Sequence, residues 1–469
     1  MAFWELERHP PHAPALVDAK RTISYSSLAT QADAMVATLP HGERTLGFLA
    51  FANNIEAVSL CLGALRSGHH VPLLLQADMD PALLAALAAH YRPDWLALAP
   101  GTAVPEGYRP HATHDDLVIH VAVEPFAGGK PHPDLALLLS TSGSTGSSKL
   151  VRLSYAGLAA NAASIVAYLG LRATDRAITT LPLAYSFGMS ILNSHLEAGA
   201  SMVLTDESMV GRRFWEIAQA QKITSLSGVP ATFEMLRRVG LERFHLDRLR
   251  MLTQAGGRLR DALIEEFLDA SERLGLEFFV MYGQTEAGPR ISYVPSGTLR
   301  SKIGSIGIAV PGGELELDAT SGELVFTGQN VMLGYAARRE DLAAGDEAGG
   351  VLRTGDLARR DADGYFYITG RAKRFVKISG NRVNLDEVES MLAGDLHRAI
   401  ACSGSDDDLV VFVPGQADVD QAVVRQLIQQ RYKLFPGHVR LKSLPALPLL
   451  GTGKVDYQAL RALCENTET

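Results

Sequence analysis

The chain has 469 residues, which is too long for one compact core, so we expect two or three domains. Hydrophobic residues make up 47% of it, which is ample for a globular core, yet no apolar run approaches the roughly 20 residues of a membrane-spanning helix. The net charge of −8 argues against nucleic acid as the main partner. The first residues have neither the basic start nor the apolar run of a signal peptide. These features predict a cytoplasmic protein without a membrane span.

In chain order, the first 370 residues alternate apolar, strand-like runs with helical patterns. We predict strands at residues 46–51, 135–139, 201–204 and 277–281, and helices at residues 54–67, 80–89, 211–221 and 261–274. The helix at 80–89 is rich in Ala and Leu and is predicted to be buried. The alternation predicts an α/β protein with a large N-terminal domain of parallel, helix-covered β-sheets. Between residues 304 and 370, short β-like runs interrupted by Gly, Pro and Asp predict a small β-rich subdomain.

A short basic segment, Arg371-Ala372-Lys373-Arg374, follows a β-like run at residues 365–369. By its composition alone it is a solvated surface turn. It also separates an N-terminal domain of residues 1–370 from residues 375–469, which have a plausible size for a small α+β domain. Composition and domain size alone do not decide between a surface turn and a domain boundary at residues 371–374.

The predicted strand at 135–139 opens into a loop of small and hydroxyl residues, Thr141-Ser142-Gly143-Ser144-Thr145-Gly146-Ser147-Ser148-Lys149. Glycines allow a close backbone approach, hydroxyls add donors, and Lys149 adds a positive charge, a combination suited to a polyphosphate. The pattern alone is equally compatible with a flexible surface linker. It is not the common P-loop, because Ser148 and Leu150 flank the lysine where Gly and Ser or Thr are required.

Four further motifs follow in order: Tyr282-Gly283-Gln284-Thr285-Glu286, Thr354-Gly355-Asp356, Gly370-Arg371-Ala372-Lys373-Arg374 and Gly451-Thr452-Gly453-Lys454. With the loop, this ordered set resembles the adenylate-forming superfamily of acyl- and aryl-CoA ligases, adenylation domains of non-ribosomal peptide synthetases, and luciferases. Weaker similarities at residues 23–28, 322–324 and 334–335 extend the resemblance over nearly the whole chain. The resemblance implies activation of a carboxylic acid by ATP and Mg²⁺ to an acyl-adenylate. Transfer to the thiol of CoA, or of the phosphopantetheine of a separate carrier protein, would follow.

The same resemblance assigns a nucleotide site. Glu286 is the expected Mg²⁺ ligand, since hard cations prefer carboxylate oxygen, and Thr285 is expected to assist it in catalysis. Asp356 and Arg371 are expected at the ribose, because one carboxylate can accept hydrogen bonds from two vicinal hydroxyls. The other expected nucleotide-binding residues are those of the phosphate loop, the aromatic face for adenine, and the glycines opposite it: Thr141, Ser142, Gly143, Ser144, Thr145, Gly146, Lys149, Tyr282, Gly256 and Gly257.

The C-terminal motifs are expected to act in catalysis and domain movement. Lys454 is the expected catalytic lysine, whose long stem can place a positive charge between the substrate carboxylate and the α-phosphate. The resemblance implies a domain boundary at residues 371–374, where Lys373 matches the hinge about which a mobile C-terminal domain turns. Lys377 and Gly380 match the face used for thioester formation, where glycine lets a pantetheine arm lie against the backbone.

The expected acyl pocket is apolar and aromatic, and consists of Tyr185, Phe187, Gly188, Met189, Ser227, Gly228 and Val229. Amino-acid-activating members usually carry an Asp near this pocket, whereas residues 181–190 contain none. This favours a fatty, medium-chain or aryl acid over an α-amino acid, because a buried ammonium needs a compensating charge. A fatty or medium-chain acid is slightly favoured, since Gly188 and Gly256 leave space and Met189 is adaptable.

Two alternatives remain open at this point. The first is a stand-alone amino-acid adenylating enzyme in which Asp206 or Glu207 supplies the missing charge. The second is a catalytically inactive nucleotide-binding protein, although the intact Glu286, Asp356, Arg371 and Lys454 argue against it.

Overall fold

The computed structural model describes residues 2–40, 43–124, 126–140, 149–371, 374–378, 381–405, 407–415, 421–432, 436–450 and 454–465. The chain forms two compact units. The first unit comprises Met1–Leu315 and Phe326–Leu352, and the second comprises Glu316–Val325 and Arg353–Thr469. The predicted boundary at 371–374 therefore falls within the second unit, which also includes the preceding hairpin.

The first unit contains a series of short strands and eight α-helices among its described residues. Its strands are β1 (Pro14–Val17), β2 (Thr22–Ser24), β3 (Thr45–Ala50), β4 (His70–Leu75), β5 (Trp95–Leu98), β6 (Tyr108–His114), β7 (Leu117–Ala122), β8 (Leu135–Ser140), β9 (Leu150–Ser154), β10 (Arg176–Ile178), β11 (Ser201–Val203), β12 (Ser225–Gly228), β13 (Met251–Gln254), β14 (Glu277–Tyr282), β15 (Ser292–Val294) and β16 (Ile308–Ala309). Its helices are α1 (Tyr25–Val36), α2 (Ile55–Ser67), α3 (Pro81–Tyr91), α4 (Tyr155–Leu169), α5 (Ser186–Glu197), α6 (Arg212–Ala220), α7 (Pro230–Val239) and α8 (Asp261–Leu274).

The chain passes between the units within β17 (Gly313–Leu317), β18 (Glu323–Gly328) and β20 (Val351–Arg360), with β19 (Gly334–Ala336) lying in the first unit. The remaining elements belong to the second unit. They are β21 (Phe366–Arg371), β22 (Phe375–Ile378), β23 (Asn381–Asn384), α9 (Leu385–Leu396), β24 (Ala401–Ser405), β25 (Asp408–Pro414), α10 (Gln421–Tyr432), β26 (Val439–Leu444) and α11 (Tyr457–Glu465).

The first unit has parallel strands at the centres of its sheets. The eight-stranded sheet has the order β19-β9-β8-β4-β3-β5-β7-β6, and the five-stranded sheet has the order β12-β13-β14-β15-β16. Strands β8, β4, β3 and β5 pair in parallel, as do β12, β13 and β14, whereas the flanking strands are antiparallel. The predicted α/β class is confirmed. The sheets predicted to be parallel are mixed, because hairpins add antiparallel strands at their edges.

Apolar side chains of β3, β4 and β8 fill the core of the eight-stranded sheet, with Phe48, Leu73 and Leu138 fully buried. Helix α3 packs on this core through the buried residues Leu84, Ala88 and Tyr91 and the partly buried Leu87, while its remaining residues are exposed. The prediction of a buried helix at 80–89 was therefore wrong. An amphipathic surface helix buries residues three to four apart, and its exposed alanines and leucines resemble core residues in composition.

The second unit has the α+β character predicted for the C-terminal domain. Strands β24, β25 and β26 form one sheet and β22 and β23 form a hairpin. Helices α9 and α10 contribute Val388, Leu392, Val424 and Ile428 to its buried core. None of the helices in the described parts of the chain has the length and apolar character that crossing a bilayer requires.

Candidate active site

Three parallel strands of the first unit end at one edge of the five-stranded sheet. Strands β12, β13 and β14 end at Gly228, Gln254 and Tyr282. Because the carboxyl ends of parallel strands share one edge, the predicted residues that follow them are brought together there, at the place where open α/β sheets bind ligands. The predicted pocket and the predicted metal motif of this unit thus meet at one edge.

The metal motif follows β14 in a tight turn. Gly283 is required in it, because a Cβ at that position would lie 1.7 Å from the Pro289 carbonyl oxygen. Thr285–Ala287 form a short 3₁₀ helix. The Gln284 amide donates to the Tyr282 hydroxyl at 3.1 Å, and the Thr285 and Ser186 hydroxyl oxygens lie 3.1 Å apart. The turn therefore places Tyr282, Thr285 and Glu286 beside the start of helix α5.

Glu286 is half-buried and fixed on one side by a tyrosine. The Tyr335 hydroxyl donates to Glu286 Oε1 at 2.8 Å, and the Met332 amide donates to the Glu286 carbonyl at 2.8 Å. Burial and the charge of Glu286 raise the pKa of Tyr335, so the phenol stays a donor. The second carboxylate oxygen of Glu286 has no hydrogen bond among the described residues, which fits a ligand for a hard cation such as Mg²⁺.

The predicted acyl pocket has its wall at the beginning of α5. Tyr185 is the N-cap of this helix, and burial raises the pKa of its phenol. Gly256 lies opposite with φ +81°, and a Cβ there would come 2.8 Å from the Tyr185 hydroxyl and 3.0 Å from Val229 Cγ1. The structure thus brings Tyr185, Val229 and Gly256 together, while Gly257 lies next to Pro230.

The other predicted pocket residues lie deeper. Phe187 and Met189 are buried, and the Thr253 hydroxyl donates to the buried Ser227 hydroxyl at 2.8 Å. The two remaining glycines serve packing rather than space for substrate. A Cβ at Gly188 would lie 2.2 Å from the Pro182 carbonyl oxygen, and one at Gly228 would lie 2.6 Å from Thr232. At Gly256 the atoms that a Cβ would meet belong to Tyr185 and Val229, so this glycine lets the two side chains of the pocket wall pack closely.

Arg290, which the sequence did not single out, lies against this pocket. Its side chain is almost fully buried, with the residue 3% exposed, and its guanidinium carbon lies 4.1 Å from the centre of the Phe187 ring. Burial lowers the pKa of Arg290. No carboxylate forms an ion pair with it among the described residues, and its Nε has no hydrogen-bond partner. The only sequence signal was a cation following closely behind the metal motif.

A cavity of about 10 Å³, room for about one water molecule, lies at this depth. Its lining includes Phe187, Ser190, Ser227, Thr253, Met281 and Arg290. Ser190 donates to the Phe187 carbonyl at 2.7 Å. Ser227 accepts from Thr253, which leaves its own proton available for donation into the cavity. The end of the pocket is therefore polar although its wall is aromatic.

The second unit carries the predicted ribose pair. Asp356 on β20 pairs in register with Arg371 on β21, and Arg371 Nε lies 3.4 Å from Asp356 Oδ1. Asp356 is buried and Arg371 is exposed, which suits a carboxylate held in place and a mobile donor. Gly355 precedes Asp356 with φ +73°, a conformation that favours glycine.

Lys454 lies in the second unit and contacts Leu450 through its backbone. The Leu450 amide donates to the Lys454 carbonyl at 2.8 Å, and Leu449 pairs with Val455 in an antiparallel bridge. These two contacts join the residues on either side of residues 451–453, which lie outside the described residues.

Other predicted site residues also lie outside the described part of the chain: Thr141, Ser142, Gly143, Ser144, Thr145, Gly146, Lys373 and Gly380. Lys149 is exposed and directly precedes β9. The backbone of Lys377 lies in β22, opposite Arg382 of β23. The phosphate-loop, hinge and thiolation roles therefore remain predictions from the sequence.

The chain resembles known proteins over most of its length. Residues 3–336 match the family model described as AMP-binding enzyme. The indoleacetate–CoA ligase of Aromatoleum aromaticum is 31% identical over 348 residues, which are 70% of this chain and 67% of that protein. A feruloyl-CoA synthase of an Amycolatopsis species is 31% identical over 56% of this chain and 54% of its own length. The chain thus aligns with about half to two thirds of these relatives.

Among solved structures, the o-succinylbenzoate coenzyme A synthetase MenE of Bacillus subtilis in complex with ATP and magnesium is similar in fold. It superimposes with a TM-score of 0.76 at 20% identity, covering 99% of this chain and 100% of that chain. At this identity the similarity concerns the fold, and the fold agrees over the full length of both chains.

Proposed function

The chain belongs to the AMP-binding enzyme family, and from that membership we propose that it is an AMP-forming acid–thiol ligase. A carboxylate oxygen of the acid attacks the α-phosphorus of ATP and pyrophosphate leaves, which produces an acyl-adenylate. The thiolate of CoA, or of the phosphopantetheine on a carrier protein, then attacks the acyl carbon and AMP leaves. We propose a small carboxylic acid as substrate and the cytoplasm as the location.

The observation that carries this proposal is the position of Glu286. Its half-buried carboxylate is held by the Tyr335 hydroxyl at 2.8 Å and lies at the strand edge that also carries Tyr185 and Gly256. A carboxylate in this setting can hold Mg²⁺, which when bound supplies positive charge to the phosphate oxygens. Tyr335 orients Glu286 for this task, because its hydroxyl occupies one carboxylate oxygen and leaves the other for the cation.

Neighbouring residues of the first unit bind and orient the reactants. The Thr285 hydroxyl, 3.1 Å from that of Ser186, is a donor for the phosphate or the substrate carboxylate. Tyr282 offers an aromatic face to adenine, and Gly256 lets Tyr185 and Val229 pack closely in the wall of the acyl pocket. Fixed donors of this kind act at no reorganisation cost when charge develops in the transition state.

In the second unit, Asp356 accepts hydrogen bonds from the two ribose hydroxyls and Arg371 donates to the same sugar. Lys454 supplies the positive charge that stabilises the transferring carboxylate and the α-phosphate. The thiol acceptor is engaged through the segment that contains Lys377 and Gly380, after the small domain turns about Lys373.

Acid-dependent exchange of labelled pyrophosphate into ATP tests the proposal. The panel contains straight-chain fatty acids, aryl acids, dicarboxylic acids and amino acids, and at least one of them should support exchange. Glu286→Gln should abolish this exchange, because it removes the metal-binding charge while it keeps the shape of the side chain. The control is Glu266→Gln on the exposed face of α8, which should exchange like wild type. Exchange that persists in Glu286→Gln would contradict the assignment.

A further inference from the structure

The guanidinium of Arg290 is buried at the far end of the acyl pocket with no anion beside it. We propose that the acid activated at this site carries a second carboxylate, and that Arg290 binds this distal carboxylate. The inference rests on the proposed function, whose acyl pocket it extends, and it specifies the substrate class.

The first argument is burial without compensation. A charge removed from water is ordinarily paired with an opposite charge or fully hydrogen-bonded. Arg290 is 3% exposed, yet no Asp or Glu among the described residues forms an ion pair with it, and its Nε is unpartnered. The ionisable groups that influence its pKa are the phenols of Tyr168 and Tyr185, and Tyr168 also forms a side-chain hydrogen bond with Arg290. Both phenols are neutral because burial raises their own pKa values, so neither supplies the opposite charge.

The other deeply buried arginines of the first unit behave differently. Arg152 pairs with Glu347 and donates to the Ala344 carbonyl at 2.5 Å. Arg339 donates to Asp94 at 2.7 Å. Each has a carboxylate for its terminal nitrogens, although its Nε is unpartnered, as it is in Arg290. The missing carboxylate therefore distinguishes Arg290 from Arg152 and Arg339, the other two arginines of the first unit that are buried as deeply.

The second argument is position. Arg290 lies over the ring of Phe187, which is two residues after the pocket residue Tyr185 at the start of α5. The aromatic ring fixes the guanidinium plane by a cation–π contact and leaves its edge for a ligand. The cavity of about 10 Å³ that Arg290 lines is also lined by Ser227, whose hydroxyl proton is available for donation. A guanidinium and a hydroxyl converge on one small space.

This chemistry selects a carboxylate. The planar guanidinium fork matches a carboxylate in two parallel hydrogen bonds, and the Ser227 hydroxyl can donate a third. The cavity holds about 10 Å³, so the distal group must be small and the pocket ends at Arg290. A long alkyl chain would meet a buried charge at this end, which replaces the slight sequence-based preference for a fatty acid with a preference for a short diacid.

The first experiment is pyrophosphate exchange with matched pairs of acids. Malonate, succinate, glutarate and adipate are each compared with the monocarboxylic acid of equal chain length. Wild type should favour its best diacid over the matched monoacid. Arg290→Met should lower kcat/KM for that diacid by roughly 10- to 100-fold, mainly through KM, since a lost hydrogen bond to a charged group is worth that much. The kcat/KM of Arg290→Lys for the diacid should lie between those of wild type and Arg290→Met, because lysine keeps the charge but lacks the planar guanidinium fork.

The matched control is Arg176→Met, which removes a half-buried arginine on β10 whose partners are Ser201 and Gln221. This variant should keep the preference for the diacid. If Arg290→Met exchanges the diacid as well as the control does, or if wild type prefers the monoacids, the inference is wrong.

A second readout does not depend on turnover. The melting temperature of the whole protein is measured with AMP and each diacid or monoacid. The diacid should raise the melting temperature of wild type and of Arg176→Met. It should raise the melting temperature of Arg290→Lys by less, and it should leave that of Arg290→Met unchanged. Equal shifts with diacid and monoacid in wild type would overturn the inference. A failure of every acid in the exchange assay would instead count against the proposed function, while this shift still decides whether Arg290 binds a carboxylate. If Arg290→Met does not fold, Arg290→Lys decides it on both readouts.

Discussion

Replacing Gly256 by alanine should damage both stability and activity, and two separate costs can be calculated from its environment. Gly256 has φ +81°, where an L side chain costs about 1–2 kcal/mol. The added Cβ would also lie 2.8 Å from the Tyr185 hydroxyl and 3.0 Å from Val229 Cγ1, so one of them must move. Overpacking of this kind costs about 1–3 kcal/mol more. We expect Gly256→Ala to lower the free energy of unfolding by about 2–5 kcal/mol in total.

Gly275→Ala is the matched control, because it separates the two costs. Gly275 ends α8 with φ +67°, and a Cβ there would meet nothing within 4 Å. We expect it to lose only the backbone cost of about 1–2 kcal/mol. Urea unfolding followed by tryptophan fluorescence suits this comparison, since Trp4, Trp95 and Trp215 all lie in the first unit.

The activity of the two variants should differ more than their stability. Gly256→Ala displaces Tyr185 or Val229 in the wall of the acyl pocket, so the KM for the acid in pyrophosphate exchange should rise while Gly275→Ala stays near wild type. Equal losses of stability in the two variants, together with unchanged exchange in Gly256→Ala, would refute the assignment of Gly256 to the pocket wall.

Three further predictions concern single side chains. Tyr335→Phe should weaken Mg²⁺ binding, because Glu286 loses a hydrogen bond worth about 1.5–3 kcal/mol. Pyrophosphate exchange should then need a higher Mg²⁺ concentration, and an unchanged Mg²⁺ titration would contradict this. Lys454→Ala should reduce adenylation by orders of magnitude but spare thioester formation from preformed acyl-adenylate, and equal loss in both half-reactions would exclude its role. Burial opposes ionisation of Asp175, but hydrogen bonds from Arg250 outweigh it and lower its pKa. At pH 7, Asp175→Asn should therefore have a lower free energy of unfolding than wild type, measured with urea. This difference should disappear as the pH falls from about 4 through the lowered pKa, and a difference that is unchanged below pH 3 would contradict the prediction.

Local signals in the sequence were enough to predict many elements. Helix α8 spans Asp261–Leu274, the range predicted from its periodicity. The helix predicted at residues 54–67 is α2, and Asn54 is its N-cap, whose side chain accepts from the Ala57 amide. Strand direction was less predictable, since an apolar run such as that of β8 has the same composition whether its neighbour is parallel β4 or antiparallel β9.

The candidate site was predictable where a motif is contiguous. Tyr282, Thr285 and Glu286 lie together in the chain and together in the turn after β14. Tyr335 contacts Glu286 from 49 residues away, and the sequence alone does not encode that distance. Arg290 was missed because an isolated arginine in a sequence is ordinarily a surface residue, and its burial follows only from the packing of α5.

The three crossings of the chain between its units have a consequence for how the protein can be divided or exchanged. Residues 316–325 belong to the second unit but are enclosed in sequence by residues of the first. Cleavage after residue 352 would leave this piece of the second unit attached to the first. A hybrid that exchanges only the region after residue 352 with a related enzyme would combine parts of two different second units. Recombination should therefore tolerate a junction later in the chain better than one at residue 352, and active hybrids mapped by junction position would reveal this constraint.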